Sequence, residues 1–215
     1  MDSFVRNIED RPKGSIKDFI YVRDNTLSES FCNHVIQRFN HDGRKQDGVV
    51  GHTRVDKNVK DTKDMKISGL DDWVEEDNTF YESLKEGLDE YNEYLHEINK
   101  GICNAFPNTT FITSDTGYKV QMYEPGGTYH WHHDWSMSSA PVASRIFTFM
   151  WYLNTIDEKD DGYTEFADGT KIQPVVGRQI FFPATWTYIH RGYPSKVNKY
   201  LCNGWIHSRP SEPRE

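Results

Sequence analysis

GYKVQMYEPGGTYHWHHD, residues 117–134, reads as a strand, a tight turn and a second strand ending in metal-capable side chains. In the first strand, alternation puts Lys119, Gln121 and Tyr123 on one face and Val120 and Met122 on the other. A polar face of that kind suits a barrel interior, with Val120 and Met122 packed outward against helices. Glu124-Pro125-Gly126-Gly127 supplies the turn. In the second strand His132 and Asp134 project the same way and could chelate one ion, while His133 points to the other side. His130 falls on the same expected face as His132, where it lines a substrate mouth or is an ordinary hydrogen-bonded histidine.

The pattern continues toward the C-terminus. RIFTFMWYLN (145–154), QIFFP (179–183), WTYIH (186–190) and KYLCNGWIH (199–207) are short runs rich in β-branched and aromatic residues. Asp160-Asp161-Gly162, Asp168-Gly169 and Gly177 punctuate them. Many short strands with such turns predict a sandwich or a jelly roll. Toward the N-terminus the period changes to that of helices. Ser28 can cap a helix to about Phe39, with Phe31, Val35, Ile36 and Phe39 on one stripe. Asn78 can cap a longer one carrying Leu84, Leu88, Tyr91, Leu95 and Ile98. Between them, Asn40 to Lys66 is polar and without period, an exposed loop or a lid over a site. The expected fold is mostly β with α, a double-stranded β-helix (jelly roll) core over about 117–207. Helices from about 20–100 would pack outside it, in a single domain spanning 1–215.

Composition bounds the function. The chain has 215 residues, enough for one substantial core. A formal net charge of -8 argues against a protein that works by neutralising nucleic-acid phosphates. Cys32, Cys103 and Cys202 are odd in number and far apart, which suits free thiols in a reducing compartment. No segment approaches the roughly 20 apolar residues of a membrane helix. A cytoplasmic protein is the expectation.

The chemistry converges on two stretches. A second histidine, His190, follows FFPATW on an expected strand. Two histidines and one carboxylate on one side of a metal form a facial triad, which leaves the opposite positions open and favours non-haem iron(II). Lys199 stands nine residues after His190, on the face that also carries Leu201, Asn203 and Trp205. A lysine aimed into a barrel can neutralise the far carboxylate of a dicarboxylate bound to the metal. Lys196 is the rival cation and belongs more naturally to the turn.

In this order the pieces resemble the prolyl 4-hydroxylase-like branch of the 2-oxoglutarate/iron(II) oxygenases, over about Tyr118 to His207. QMYEPGGTYHWHHD is similar to the His-x-Asp entry to that family's core. FMWYLN resembles the strand whose tyrosine, here Tyr152, hydrogen-bonds the far carboxylate of 2-oxoglutarate. PVVGRQIFFPA and IHRGYPSKVNKYLCNGWI resemble the approach to the distal histidine, the carboxylate-binding lysine and the closing strand. In DGYTEF, Asp161 and Tyr163 replace the usual glycine and glutamate, a change expected at the site rim. The resemblance implies that His132, Asp134 and His190 hold Fe(II), that Lys199 and Tyr152 grip 2-oxoglutarate, and that Tyr123 is a third contact. It implies consumption of O2, release of succinate and CO2, hydroxylation of the substrate, and ascorbate as an optional reductant. A peptidyl proline is the first expectation for the substrate, with a free amino acid or small metabolite as the alternative. Asn40–Lys66 and WSMSSAPVAS (135–144) are the expected substrate-facing stretches, and Trp186 and Tyr188 would line the pocket or join the core.

Three other readings remain open at this level. A cupin-type centre would use His130, His132 and His190 but leaves Asp134 and Lys199 without work. A nucleic-acid demethylase would be expected to carry arginine where Lys199 stands. A binding domain without catalysis would be expected to show a damaged triad.

Overall fold

The structure, a computed structural model, describes residues 15–51, 53–98, 113–135 and 144–208. Cys103, residues 136–143 of the WSMSSAPVAS stretch and the tail beyond Ser208 lie outside the described residues. In chain order the elements are β1 (Tyr21–Arg23), α1 (Glu29–His41), β2 (Gln46–Asp47), β3 (Val49–Val50), β4 (Arg54–Val55) and β5 (Lys63–Lys66). Next come α2 (Val74–Ile98), β6 (Thr113–Asp115), β7 (Lys119–Tyr123), β8 (Tyr129–His132) and β9 (Arg145–Tyr152). The chain closes with β10 (Thr164–Phe166), β11 (Lys171–Ile172), β12 (Gln179–Pro183), β13 (His190–Gly192) and β14 (Lys199–Ser208).

Eight strands form one sheet in the order β1-β12-β9-β14-β7-β5-β2, with β6 also paired to β14. Four more, β11-β10-β13-β8, form a second sheet, and every pairing is antiparallel. This is the jelly-roll core expected from the punctuated strands.

Alternation explains how the large sheet serves two purposes. Val120, Phe149, Trp151, Phe181, Cys202 and Ile206 face one way and share a core with Val35 and Phe39 of α1 and with Phe80, Leu84 and Tyr91 of α2. Rings interlock there: Phe80 lies 5.2 Å from Trp151, and Tyr91 stacks on Phe181 at 5.4 Å. Aromatic pairs at such spacings add to the burial of their area. The opposite face carries Tyr123, Met150, Tyr152, Ile180, Phe182 and Leu201, which meet Phe166 and Tyr188 in a second cluster. Polar residues of the same face surround the site.

The helices begin for local reasons. Ser28 Oγ accepts the Phe31 N–H at 3.2 Å, the cap expected for α1. The start of α2 corrects the sequence reading, because it lies at Val74 and leaves Asn78 inside the helix. Glu75, Glu76 and Asp77 suit the positive end of the helix dipole, and buried Trp73 anchors the turn before it. That acidic run outweighs Asn78 as a start signal. Asn40–Lys66 is also more than a loop. Its first residues finish α1, β3 and β4 form a hairpin, and β5 joins the large sheet beside β7. In β5 only Met65 is both apolar and buried, so the strand left no apolar period to read.

Candidate metal and cosubstrate site

A cavity of about 410 Å³ opens between the sheets. Its walls include Lys119, Gln121 and Tyr123 from β7, Thr148 and Met150 from β9, and Lys199, Leu201, Asn203 and Trp205 from β14. The β7 and β14 residues are those that alternation places on one face of each strand; the sequence reading assigned no face of β9. His132, Asp134 and His190 also line it, and their ligand atoms lie within 4.8 Å of one another.

Backbone pairing brings these three together. His190 of β13 stands opposite His132 of β8 in register. Each imidazole spends Nδ1 on a carbonyl two residues earlier: His132 on His130 at 2.7 Å and His190 on Tyr188 at 3.0 Å. A carbonyl oxygen only accepts, so Nδ1 carries the proton and Nε2 keeps its lone pair. Both Nε2 atoms point toward Asp134, at 3.7 Å from Oδ1 and 3.9 Å from Oδ2, too far for hydrogen bonds. Thr148 donates its hydroxyl to Asp134 Oδ2 at 2.6 Å, and Arg145 Nη1 donates to the Asp134 carbonyl at 3.0 Å. Burial and the neighbouring His190 hold His132 neutral, well below the ordinary histidine range. Burial alone would raise the Asp134 carboxyl, but His190 and His132 beside it hold it below the usual carboxylate range. Two lone pairs and a carboxylate converging without bonding one another are a donor set that fits a divalent metal, with outer partners fixing each ligand.

Lys199 occupies another part of the same cavity. It is 1% exposed, and burial alone pushes its ammonium down to about 7. Its Nζ donates to the Gly162 carbonyl at 3.0 Å and the Tyr193 carbonyl at 3.4 Å, and lies 4.3 Å from the Tyr123 ring centre. No carboxylate of the described residues pairs with it. Asp161, which stands where the resemblance expects glycine, takes a left-handed φ of 61° just before the Gly162 carbonyl that Lys199 uses. Tyr123 lines the cavity, and its hydroxyl has no protein partner among the described residues. A buried cation and a free phenol are what the far carboxylate of 2-oxoglutarate would need.

Other expected residues fall elsewhere. The Tyr152 hydroxyl donates to Thr164 Oγ1 at 2.7 Å rather than facing the cavity, which Thr164 lines instead. Trp186 is 62% exposed and Tyr188 belongs to the inner core, so neither lines the cavity. His130 is exposed and outside the cavity, whereas Tyr129 and His133 line it. The cause is an irregularity in β8: His132 and Tyr129 pair with His190 and Gly192, so three steps on one strand oppose two on the other. The bulge swings Tyr129 onto the His132 ring, with ring centres 3.5 Å apart. Lys196 lies in the turn, as expected, near Asp161.

The sequence reading passed over Lys60, Thr148 and Arg145 as lining residues. Thr148 had a signal in the alternation of RIFTFMWYLN, which puts it on the face of Met150 and Tyr152. Arg145 had none, because alternation puts it on the other face and the β14 register shifts beside it. Lys60 lay within the Asn40–Lys66 stretch expected to face substrate but had no signal of its own, because it stands outside any strand and reaches the cavity through an isolated bridge with Tyr129.

Residues 118–207 match a family described as the 2OG-Fe(II) oxygenase superfamily. The chain carries a 2OG-Fe(II) oxygenase domain. Its cofactors are accordingly Fe(II) and 2-oxoglutarate, and it is a dioxygenase. Solved structures share the fold of this oxygenase. The viral collagen prolyl hydroxylase of Paramecium bursaria Chlorella virus-1, in complex with 2OG, superposes with a TM-score of 0.64 at 20% identity, over 89% of this chain and 97% of that one. A Trichoplax adhaerens prolyl hydroxylase bound to a hypoxia inducible factor peptide gives 0.67 at 17% identity, over 89% and 84%. A Pseudomonas putida prolyl-4-hydroxylase gives 0.60 at 18% identity, over 90% and 97%. No curated protein matches the sequence.

Proposed function

We propose that this oxygenase holds Fe(II) through His132 Nε2, Asp134 and His190 Nε2, and 2-oxoglutarate through Lys199 and Tyr123. The observation that carries this reading is the buried Lys199 ammonium, without a carboxylate partner among the described residues, in the same cavity as three convergent ligand atoms. Bound Fe(II) and 2-oxoglutarate supply the oxidising power for O2 chemistry, giving succinate, CO2 and a hydroxylated substrate. The chain's residues supply geometry and charge. The carbonyls of His130 and Tyr188 hold each imidazole in its lone-pair-forward tautomer, and Thr148 ties down one oxygen of Asp134. Tyr152 contributes at one remove by orienting Thr164.

The substrate we propose is a peptidyl proline. The fold likeness to three prolyl hydroxylases, one with a peptide bound, supports it. We also propose a reducing, cytoplasmic setting, which the free buried Cys32 and Cys202 suit. Among the described residues no helix is long and apolar enough to cross a membrane.

The test is anaerobic titration with Fe(II) and 2-oxoglutarate, following the visible charge-transfer band. The band should vanish in His132→Ala and weaken in Lys199→Ala. Intact, folded protein that gives no band would sink this assignment of the site. Proline peptides gaining one oxygen by mass spectrometry would establish the substrate, and a proline-peptide screen without turnover would return free amino acids to the front.

A further inference from the structure

The cavity carries more positive charge than the proposed cosubstrate chemistry uses. Among the described lining residues are four cations, Lys60, Lys119, Arg145 and Lys199, against one carboxylate, Asp134. Lys199 is assigned to 2-oxoglutarate and Asp134 to the metal. Behind Lys60 and Lys119 stands a further carboxylate, Asp64, which three donors already engage, Lys60 among them. Its Oδ2 receives Lys60 Nζ at 2.6 Å and Gln121 Nε2 at 2.8 Å, and its Oδ1 receives the Thr62 hydroxyl at 2.7 Å. Lys119 Nζ stays 3.5 Å from Oδ2. Two ammonium groups therefore share one carboxylate, and Lys119 is the less engaged of the two. The crowding acts on Lys60, which is 2% exposed: burial, reinforced by the Lys119 ammonium, pushes it down to about 8 despite Asp64.

The rest of that wall is short of acceptors too. Lys119 Nζ lies 5.3 Å from the centre of the Trp205 ring, and the Arg145 guanidinium carbon 3.6 Å from it. Arg145 Nε is a buried donor without a hydrogen-bond partner among the described residues, whereas the Trp205 indole N–H faces the Asp134 carboxylate. The chain as a whole has a formal net charge of -8, so a cationic cavity runs against its overall composition. An excess of cations in a cavity where Lys60 and Lys199 are buried is costly unless an anion visits.

This place is separate from the cosubstrate's far end. In register, Tyr123 pairs with Lys199, and Lys119 pairs with Asn203. Four residues separate the two pairs along each strand, about 13 Å at the usual rise. Building on the proposed site, we infer that the substrate itself carries a carboxylate, received by Lys119 with Lys60 behind it. That carboxylate comes either from the acid end of a small proline derivative or from an acidic side chain beside a peptidyl proline.

The experiment uses the full chain loaded with Mn(II) and 2-oxoglutarate, each followed by calorimetry. Failure of either to bind overturns the cosubstrate reading and is seen before any substrate probe is added. The probes then are N-acetyl-L-proline and its uncharged amide, and acetyl-Pro-Glu-amide with its acetyl-Pro-Gln-amide counterpart. At least one acid should bind about tenfold or more tighter than its neutral partner, as expected for a hydrogen-bonded charge. The preference should collapse in Lys119→Met, return in Lys119→Arg, and leave 2-oxoglutarate affinity unchanged throughout. A preference for N-acetylproline alone identifies a free acid, and one for the glutamyl peptide alone identifies an acidic peptide. Equal binding of acids and amides, no binding by any of the four, or an undiminished preference in Lys119→Met would each overturn the inference. So would loss of 2-oxoglutarate binding in Lys119→Met, which would give Lys119 to the cosubstrate.

Discussion

The two faces of the large sheet are almost equally hidden from water and are built on opposite terms. Toward the helices, Val120, Phe149, Trp151 and Cys202 are fully buried and meet apolar neighbours. Toward the cavity, Lys199, Gln121, Thr148 and Asn203 are nearly as buried, and among the described residues Lys199 has no anion and Asn203 Oδ1 no hydrogen-bond partner. Burial stabilises the first face and costs stability on the second. A strand such as β14 carries both, residue by residue, so its outward side holds the fold together while its inward side spends part of that stability on a site.

The sharpest way to test this division is to damage each face once. Asp134→Ala should lower divalent metal affinity by more than about hundredfold, beyond the loss expected for an outer partner of a ligand. Its thermal unfolding should move little, because the removed carboxylate supports a metal and not a core. Trp151→Ala is the converse. It empties a fully buried ring site beside Phe80 and should cost about 3–5 kcal/mol in denaturant unfolding. Metal affinity measured well below its melting temperature should stay near that of the parent. A Trp151→Ala protein that is folded yet metal-blind would show that the faces do not act separately.

How much of this was legible in the sequence follows from the same division. Alternation alone placed Lys119, Gln121, Tyr123, Lys199, Asn203 and Trp205 inward, because the period of a strand is a local property of the backbone. The metal-capable set His132, Asp134 and His190 was legible for the same reason, with the order of motifs adding weight. What escaped was non-local. The β8 bulge depends on how β13 pairs with it, so nothing in TYHWHHD announced that Tyr129 would turn in and His130 out. Tyr152 was expected to contact the cosubstrate, but its hydroxyl is taken by Thr164, which comes from the other sheet. Lys60 reaches the cavity from a segment without period, and the acidic start of α2 overrode the cap that Asn78 offered.

Lys199 gives a smaller and more diagnostic effect, because its sign depends on pH. Its folded-state value lies near 7 against the usual 10.5, with burial as the cause. Between those values the unfolded chain holds a proton that the folded chain has released. Stability without cosubstrate should therefore rise through this interval as far as Lys199 is concerned. Below about 7 both states are protonated and the full cost of the buried charge remains. Lys199→Met should stabilise the metal-free protein by about 1–2 kcal/mol at pH 6 and lose that advantage toward pH 10. Binding of 2-oxoglutarate runs the other way. It needs the ammonium, so affinity should weaken above pH 7 by up to about tenfold per unit. In Lys199→Met affinity should be low and no longer show this slope. A parent protein with flat affinity from pH 6 to 9 would mean that Lys199 does not face the cosubstrate.

The smallest expected effect comes from the β8 bulge. Strict alternation would put His130 beside His132, inside the cavity and within reach of a metal, as the cupin-type reading requires. The bulge instead leaves its side chain exposed and uses only its carbonyl, which accepts from His132 Nδ1. His130→Ala keeps that carbonyl. It should change metal affinity less than about twofold and stability by no more than about 0.5 kcal/mol, as for an ordinary surface substitution. Tyr129→Ala, by contrast, removes the ring stacked on His132 and should loosen the ligand's orientation, weakening metal binding by about tenfold. If the two variants exchange these outcomes, β8 runs without a bulge, and His130 belongs in the cavity beside His132.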